Sequence, residues 1–195
     1  MSLRIRCLEL RVTTEKRLFG TKLSFRDGLT VLRAENSSGK STCLMSILYA
    51  LGLEGMLGPS HLPPLSEAMV RRIKDKNDVS LNVVESKVLL EIQNANGETM
   101  TVERSATGTN KQRELIVTYD GPALTAPDKT YKQESFFVRI PGAAQSESGF
   151  HTRLAEFIGL KLPQVPRYDA QPGPLYLECL SRVNNLQTRL ALEHF

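Results

Sequence analysis

Residues 29–52 read LTVLRAENSSGKSTCLMSILYALG, and the fold prediction starts from this stretch. The pattern predicts a short buried strand at Leu29–Arg33, followed by a polar turn at Ala34–Lys40. An amphipathic helix is predicted at Ser41–Leu51, and Gly52 ends it. A strand, a loop that ends in Gly-Lys-Ser-Thr and a helix, in this order, are typical of a phosphate-binding loop. The sequence therefore predicts an anion site at the start of this helix.

The residues of the predicted loop have separate roles. Lys40 would place a positive charge on the terminal phosphates of a nucleotide, and the Ser41 hydroxyl would hold Mg²⁺. Ala34 stands where the usual pattern G-x-x-x-x-G-K-[ST] has its first glycine, and an alanine at positive φ costs on the order of 1 kcal/mol. The predicted phosphate contacts are Asn36, Ser37, Ser38, Gly39, Lys40, Ser41 and Thr42. The predicted buried face of the helix is Cys43, Leu44, Ile47, Leu48 and Leu51.

Composition limits the class of protein. The 195 residues predict one domain, which we place at 1–174 with a possible helical extension at 175–195. The net charge of +4 is compatible with a nucleic-acid partner without indicating one. Three dispersed cysteines favour a reducing compartment without disulfides, and no apolar run reaches 18 residues. We expect a cytoplasmic protein with no membrane partner.

Two strands precede the predicted loop. Apolar residues alternate from Leu3 to Cys7 and then, with the opposite parity, from Leu8 to Val12, which indicates a bulge or a strand buried on both faces. A second strand is predicted at Leu18–Phe25. Asp27-Gly28 predicts a hairpin that returns the chain into Leu29–Arg33.

The segment after Gly52 begins with a Gly- and Pro-rich loop and continues with a short helix. Ser66 is predicted to cap this helix, Glu67–Lys76, which carries Arg71, Arg72, Lys74 and Lys76. These cations form either a solvated face or a basic strip beside the nucleotide or DNA.

A β-rich region then extends over 79–140 and predicts an antiparallel meander. Its predicted strands include Val88–Ile92, Thr99–Arg104, Leu115–Tyr119 and Phe136–Ile140, with a hairpin turn at Asn96-Gly97. A helix marked by Phe150, Leu154, Phe157 and Ile158 follows and ends at Gly159. A proline-rich loop comes next. Tyr176, Cys179, Val183, Leu186 and Leu190 then form a two-heptad seam, which fits a coiled coil or a packed terminal helix.

This order of elements resembles the N-terminal half of an ABC-type ATPase head of the SMC and RecF class, which includes double-strand-break-repair ATPases. LSFRDGLTVLRAENSSGKSTCLMSILYALG is similar to the opening of that family, although Ala34 and Ser37 replace two glycines. The close resemblance covers about residues 1–52. It implies an α/β P-loop NTPase fold, with a mixed sheet around the loop, an antiparallel meander and a C-terminal helix. It also implies ATP and Mg²⁺ as ligands.

The resemblance implies partners as well. Such heads hydrolyse ATP between two copies, and their signature motif and Walker B strand lie in a C-terminal half. No L-S-G-G motif occurs here, and Leu115–Asp120, the best Walker B candidate, is followed by Gly121 and read as a meander strand. We therefore expect an inactive or nearly inactive chain that needs the C-terminal half of its head and a second head, with DNA as an optional further partner.

Some family roles have weaker candidates in this sequence. Gln145, Glu178 and Gln187 are near the places where the family has a glutamine that contacts Mg²⁺, and none is assigned to that role. Lys16 and Arg17, in the turn after the first strand, are either nucleotide contacts or residues of a solvated turn.

Two other functions remain open from the sequence. A complete small P-loop enzyme, such as a nucleoside kinase, suits the length, but a β meander follows where α/β units should alternate. A non-catalytic interaction domain with a degenerate loop is the other alternative, because Ala34 and Ser37 depart from the motif.

Overall fold

The computed structural model describes residues 2–35, 39–57, 64–138, 149–161, 163–167 and 170–174. Seven strands form one sheet, and their bounds are β1 Leu3–Thr14, β2 Leu18–Ser24, β3 Arg72–Lys74, β4 Ser80–Asn94, β5 Thr99–Ser105, β6 Leu115–Tyr119 and β7 Gln133–Phe137. The sheet order is β2-β1-β4-β5-β6-β7, with β3 also paired to β4. All these pairings are antiparallel. The predicted meander is therefore confirmed, and β6 lies inside it as expected.

Within these described ranges four α-helices accompany the sheet, with bounds α1 Lys40–Ala50, α2 Glu67–Val70, α3 Asn110–Glu114 and α4 Phe150–Ile158. A 3₁₀ helix at Glu54–Leu57 follows α1. Two short strands, β8 Gln164–Arg167 and β9 Ala170–Pro174, pair with each other. This hairpin corrects the prediction of a loop in the proline-rich segment. Four predictions fall outside the described residues: the helix at 175–195 and the roles considered for Gln145, Glu178 and Gln187.

The main core lies on one face of the sheet. Alternate residues of a strand point to the same face, so Val88, Leu90 and Ile92 of β4 share this face, and all three have no exposed surface. α1 and α4 supply Tyr49 and Phe150 to the same core. A smaller cluster of Cys7, Leu89 and Leu124 lies on the other face. Cys7 and Leu8 are thus buried on opposite faces of one strand.

The parity switch in the first strand comes from a bulge. β1 and β4 pair Ile5 with Ile92 and then Cys7 with Glu91, so Arg6 is the extra residue in β1. Arg6 still contributes its carbonyl, which accepts a hydrogen bond from Phe25 N at 2.9 Å. The sequence indicated either a bulge or a strand buried on both faces, and the structure has both, since Cys7 and Leu8 are buried on opposite faces.

The predicted helix Glu67–Lys76 is wrong after its first turn. α2 ends at Val70, and β3 pairs with β4 through Ile73 opposite Leu81. The turn between them explains this outcome, because the Asp75 carboxylate accepts hydrogen bonds from Asn77 N at 2.8 Å and Val79 N at 3.0 Å. The backbone N–H groups of Val79 and Asn77 hold the pKa of Asp75 below its usual value.

Gly52 ends α1 as predicted and also brings α4 close. Its φ is 68°, a conformation that glycine adopts readily. A Cβ atom at this position would lie 2.9 Å from His151 Nε2, which itself lies 3.1 Å from the Gly52 carbonyl oxygen. α4 in turn ends at Gly159 with φ 71°, as the sequence predicts.

The strand expected at Leu29–Arg33 does not form. This segment has no regular secondary structure, and Leu29 and Val31 are 92% and 74% exposed. The Asp27-Gly28 turn is present, with Gly28 at φ 89°, but the chain does not return as a strand. A strand needs a neighbour for its backbone groups, and in the described part of the chain none lies beside this segment. The mixed sheet around the loop therefore remains a prediction.

Candidate phosphate-binding site

The start of α1 has the geometry of an anion site. Gly39 is the N-cap, with φ 91° and ψ 10°, and contributes no side chain that could cap the helix. The first N–H groups of a helix lack intrahelical partners and carry its positive dipole end. Lys40 and Ser41 are the first two residues of α1. This helix start therefore combines free backbone donors with a lysine and a serine in its first turn, a combination that suits an oxyanion ligand.

Lys40 already contacts the chain that leads into the loop. Its Nζ donates to the carbonyl oxygens of Ala34 at 2.7 Å and Glu35 at 2.6 Å. These two bonds draw the ends of the predicted loop together. Asn36, Ser37 and Ser38 lie outside the described residues, so their predicted phosphate contacts remain predictions, as do those of Gly39, Lys40, Ser41 and Thr42.

A cleft of about 460 Å³ lies beside the start of α1. Its walls come from β1, β2, the segment before the loop, α1, α2 and β3. Apolar side chains dominate its lining, and these are Leu10, Val12, Phe19, Leu23, Leu32, Cys43, Met69 and Ile73. Lys40 and Thr42 line the end that belongs to the predicted loop. The cleft has a volume typical of small-molecule sites and joins apolar walls to a cationic end.

The described lining of this cleft contains no aspartate or glutamate. Ser41 is exposed at the start of α1, so its hydroxyl is accessible to a metal ion. Mg²⁺ prefers six oxygen ligands and takes several of them from phosphates, water and carboxylates. Among the described residues no group of three or more His, Cys, Asp or Glu could hold a metal ion. Ser41 therefore fits Mg²⁺ only as one ligand among others that the nucleotide, water or another segment supplies.

Lys16 and Arg17 do not line the cleft. They lie in a turn that Thr14 organises, since its hydroxyl donates to the Arg17 carbonyl at 2.8 Å and accepts from Arg17 N at 3.1 Å. The Arg17 guanidinium lies 3.6 Å from the Asp75 carboxylate. These contacts account for both residues as parts of a solvated turn, and a nucleotide contact remains a prediction.

The predicted buried face of α1 is wrong in part. The helix buries Ser46, Tyr49 and Ala50, while Leu44 is 58% exposed. Cys43 and Ile47 are partly buried against the core, and Leu51, just after the helix, is buried. Burial raises the pKa of the Cys43 thiol, which fits its predicted place on the packed face of the helix.

Sequence reasoning missed the residues that hold the other end of α1. Arg104 of β5 is 3% exposed and forms an ion pair with Glu54 at 2.8 Å. The sequence did contain an indication of this ion pair. Arg104 follows Met100 and Val102 at a spacing of two, so it faces the same side of β5 as these two buried residues. A charged residue at such a position indicates a buried partner.

Comparison with known proteins gives one partial similarity. The chain is 28% identical over 117 residues to the DNA double-strand break repair Rad50 ATPase of Aeropyrum pernix. The matched region covers 60% of this chain and 11% of that protein. No family model matches the chain, and no solved structure shows a significant match. The similarity supports a distant relationship to SMC- and Rad50-like ATPases over part of the chain.

In the part of the chain that the structure describes, no helix is long and apolar enough to cross a membrane.

Proposed function

We propose that the chain is the ATP-binding N-terminal lobe of an SMC-like ATPase, in which ATP-driven engagement of two heads acts in DNA maintenance, repair or defence. The observation that carries this proposal is the start of α1, where left-handed Gly39 precedes Lys40 and Ser41 at the end of an apolar cleft. The partial similarity to a Rad50 ATPase supports ATP as the nucleotide and DNA as the polymer on which the full assembly acts.

Each residue of the site has a binding role in this proposal. The N–H groups of the first turn of α1 would donate to phosphate oxygens, and Lys40 would exchange the Ala34 and Glu35 carbonyls for the β and γ phosphates. The Ser41 hydroxyl would be one ligand of Mg²⁺, which neutralises charge on the phosphates when bound. The apolar cleft would receive the less polar part of the nucleotide.

The exposed apolar residues near the loop support a partner lobe. Leu29, Val31, Leu44 and Met45 lie before and after the loop, and all are exposed. An apolar segment with unpaired backbone groups and an exposed helix face both gain stability when another segment covers them. The C-terminal half of the same head is the partner that we propose for this surface. That half, or a second head, would also bring the carboxylate for hydrolysis that the described cleft lining lacks.

Calorimetric titration with Mg·ATP tests the site. We expect the chain to bind ATP and Lys40→Ala to lose that binding while it keeps its circular dichroism spectrum and melting temperature. Lys74→Ala is the matched control, because Lys74 is an exposed lysine that pairs with Asp78 at 2.8 Å and does not line the cleft. Equal affinity in the parent and in Lys40→Ala would show that the loop assignment is wrong.

Steady-state hydrolysis on the same samples separates a lobe from an enzyme. A half-site predicts binding with little or no turnover. Robust turnover by the chain alone would mean that it contains its own catalytic carboxylate, and a complete small P-loop enzyme would replace the proposed lobe.

A further inference from the structure

Arg104 is a buried cation whose contacts extend to three segments. Its Nη1 and Nη2 donate to the two carboxylate oxygens of Glu54 at 2.9 and 2.8 Å. Its Nε donates to the Arg113 carbonyl at 2.6 Å, and Nη1 also donates to the Tyr49 carbonyl. The Tyr49 ring lies 3.9 Å from the Arg104 Cζ atom, in cation–π contact. We call Tyr49, Glu54 and Arg104 the Arg104 cluster.

The Arg104 cluster joins the C-terminal end of α1 to the sheet. Tyr49 is in the last turn of α1, Glu54 begins the 3₁₀ helix that follows, and Arg104 is in β5. The Tyr49 hydroxyl donates to the Ser105 carbonyl at 2.6 Å, which adds a second bond between the helix and β5. Because a buried guanidinium is costly unless its donors are paired, this arrangement strongly favours one position of the helix end.

The two ends of α1 are held differently. Its buried residues, Ser46, Tyr49 and Ala50, are all in its C-terminal half. In the N-terminal half, Ser41, Leu44 and Met45 are exposed, and Cys43 is only partly buried against the core. An 11-residue helix is about 16 Å long, so a tilt of about 10° at the held end moves the other end by about 3 Å. The orientation of the Lys40 end therefore depends on contacts at the Tyr49 end.

We propose that Arg104 is a positioning residue for the phosphate-binding loop and acts through the orientation of α1. This inference rests on the proposed function, because its consequence is measured on nucleotide binding. Binding donors must lie within about 0.5 Å of their productive positions, so a displaced helix start would weaken the phosphate contacts without altering any residue in the loop.

Glu91→Gln gives a matched control on the opposite face of the sheet. Glu91 is 2% exposed, and its carboxylate accepts from Leu124 N, Thr125 N and the Thr125 hydroxyl at 3.1, 3.0 and 2.7 Å. It is a buried, fully hydrogen-bonded charge like Arg104, but its partners lie in the loop after β6 and not in α1. A general loss of stability would affect both variants, whereas a positioning role is specific to Arg104.

The experiment compares Arg104→Met, Arg104→Lys and Glu91→Gln, all well below their melting temperatures. Hydrogen exchange without nucleotide is followed over residues 40–51, and Mg·ATP affinity is measured by calorimetry. We expect Arg104→Met to raise exchange in 40–51 and to weaken ATP binding at least tenfold. Arg104→Lys should also weaken binding, because lysine keeps the charge but lacks the planar fork that Glu54 accepts. Glu91→Gln should lower the melting temperature and leave ATP affinity within twofold of the parent.

If Arg104→Met binds ATP and exchanges over 40–51 as the parent does, the proposed function stands, while the positioning role of Arg104 is wrong. A tenfold loss of affinity in Glu91→Gln as well would overturn it too, since the effect would then be general. If the parent itself binds no ATP, the proposed function fails, and the role of Arg104 in nucleotide binding fails with it. If Arg104→Met does not fold, Glu54→Gln provides the same test with a milder change, and a threefold loss of affinity at unchanged fold is expected.

Discussion

Leu90 in β4 and Leu29 before the phosphate-binding loop are both leucines in apolar stretches, yet their burial is opposite. Leu90 has no exposed surface, and Leu29 is 92% exposed. Leu90 pairs with Leu8 on one side and Val102 on the other, whereas Leu29 belongs to no strand. An apolar pattern thus indicates a tendency to form a strand, and neighbouring strands decide whether the strand forms.

Leu90→Ala should have the largest effect on stability. The substitution removes buried methyl groups from the main core and leaves a cavity, so we expect a loss of about 3 kcal/mol in the free energy of unfolding. Urea denaturation followed by circular dichroism measures this loss. A change below about 1 kcal/mol would mean that the core around β4 is looser than the structure shows.

The thiols of Cys7 and Cys43 should differ in reactivity, because one lies in the sheet and the other near the loop. Cys7 has no exposed surface in the sheet, whereas Cys43 lines the cleft beside the loop. Burial raises the pKa of both thiols, so little thiolate exists at pH 7 and labelling of Cys43 should rise about tenfold per pH unit. In a Cys179→Ser background, we expect a maleimide to label Cys43 more than about 100-fold faster than Cys7. Labelling of Cys7 requires the sheet to open, because this thiol is buried.

Mass spectrometry of the labelled peptides at several pH values makes this measurement. Cys43→Ala and Cys7→Ala identify the two signals. Mg·ATP should slow the labelling of Cys43 and leave that of Cys7 unchanged, because only Cys43 lines the proposed nucleotide cleft. Equal rates for the two thiols would contradict the difference in packing between the two regions.

Leu29→Ala should have the smallest effect. Its side chain is almost fully in solvent, so we expect the free energy of unfolding of the chain to change by less than about 0.5 kcal/mol. The same urea titration as for Leu90→Ala gives the comparison directly. A loss near that of Leu90→Ala would mean that Leu29 is packed in solution, and the exposed surface offered to a partner lobe would then not exist.

The elements that the sequence predicted well depend on local interactions. Asn96-Gly97 sets the turn between β4 and β5, with Gly97 at φ 83°, and Leu115–Tyr119 alternates as a half-buried strand should. Gly159 ends α4 through a conformation that few other residues adopt. The bulge in β1 was visible because it reverses the parity of the apolar residues.

The errors arose where distant partners decide the structure. Leu29–Arg33 has a strand pattern but no neighbouring strand, and residues 72–74 join β4 because the Asp75 turn forms a hairpin. For the candidate site, the motif predicted a helix that starts at Ser41, and α1 begins one residue earlier, at Lys40. Arg104 pairs with Glu54 across 50 residues of sequence, so helical or strand periodicity alone could not reveal this partner.

The pairing of β1 with β4 has a consequence for synthesis on the ribosome. β1 pairs with β4 from Leu3 opposite Asn94 to Thr14 opposite Val83. The ribosome therefore makes β4 long after β1. At about 5–20 residues per second, the first hairpin waits on the order of ten seconds for β4 to emerge. During that interval its apolar side chains are accessible to chaperones, while β4, β5 and β6 can pair as soon as each is made. The nascent chain therefore exposes its N-terminal hairpin for longer than any strand of the meander.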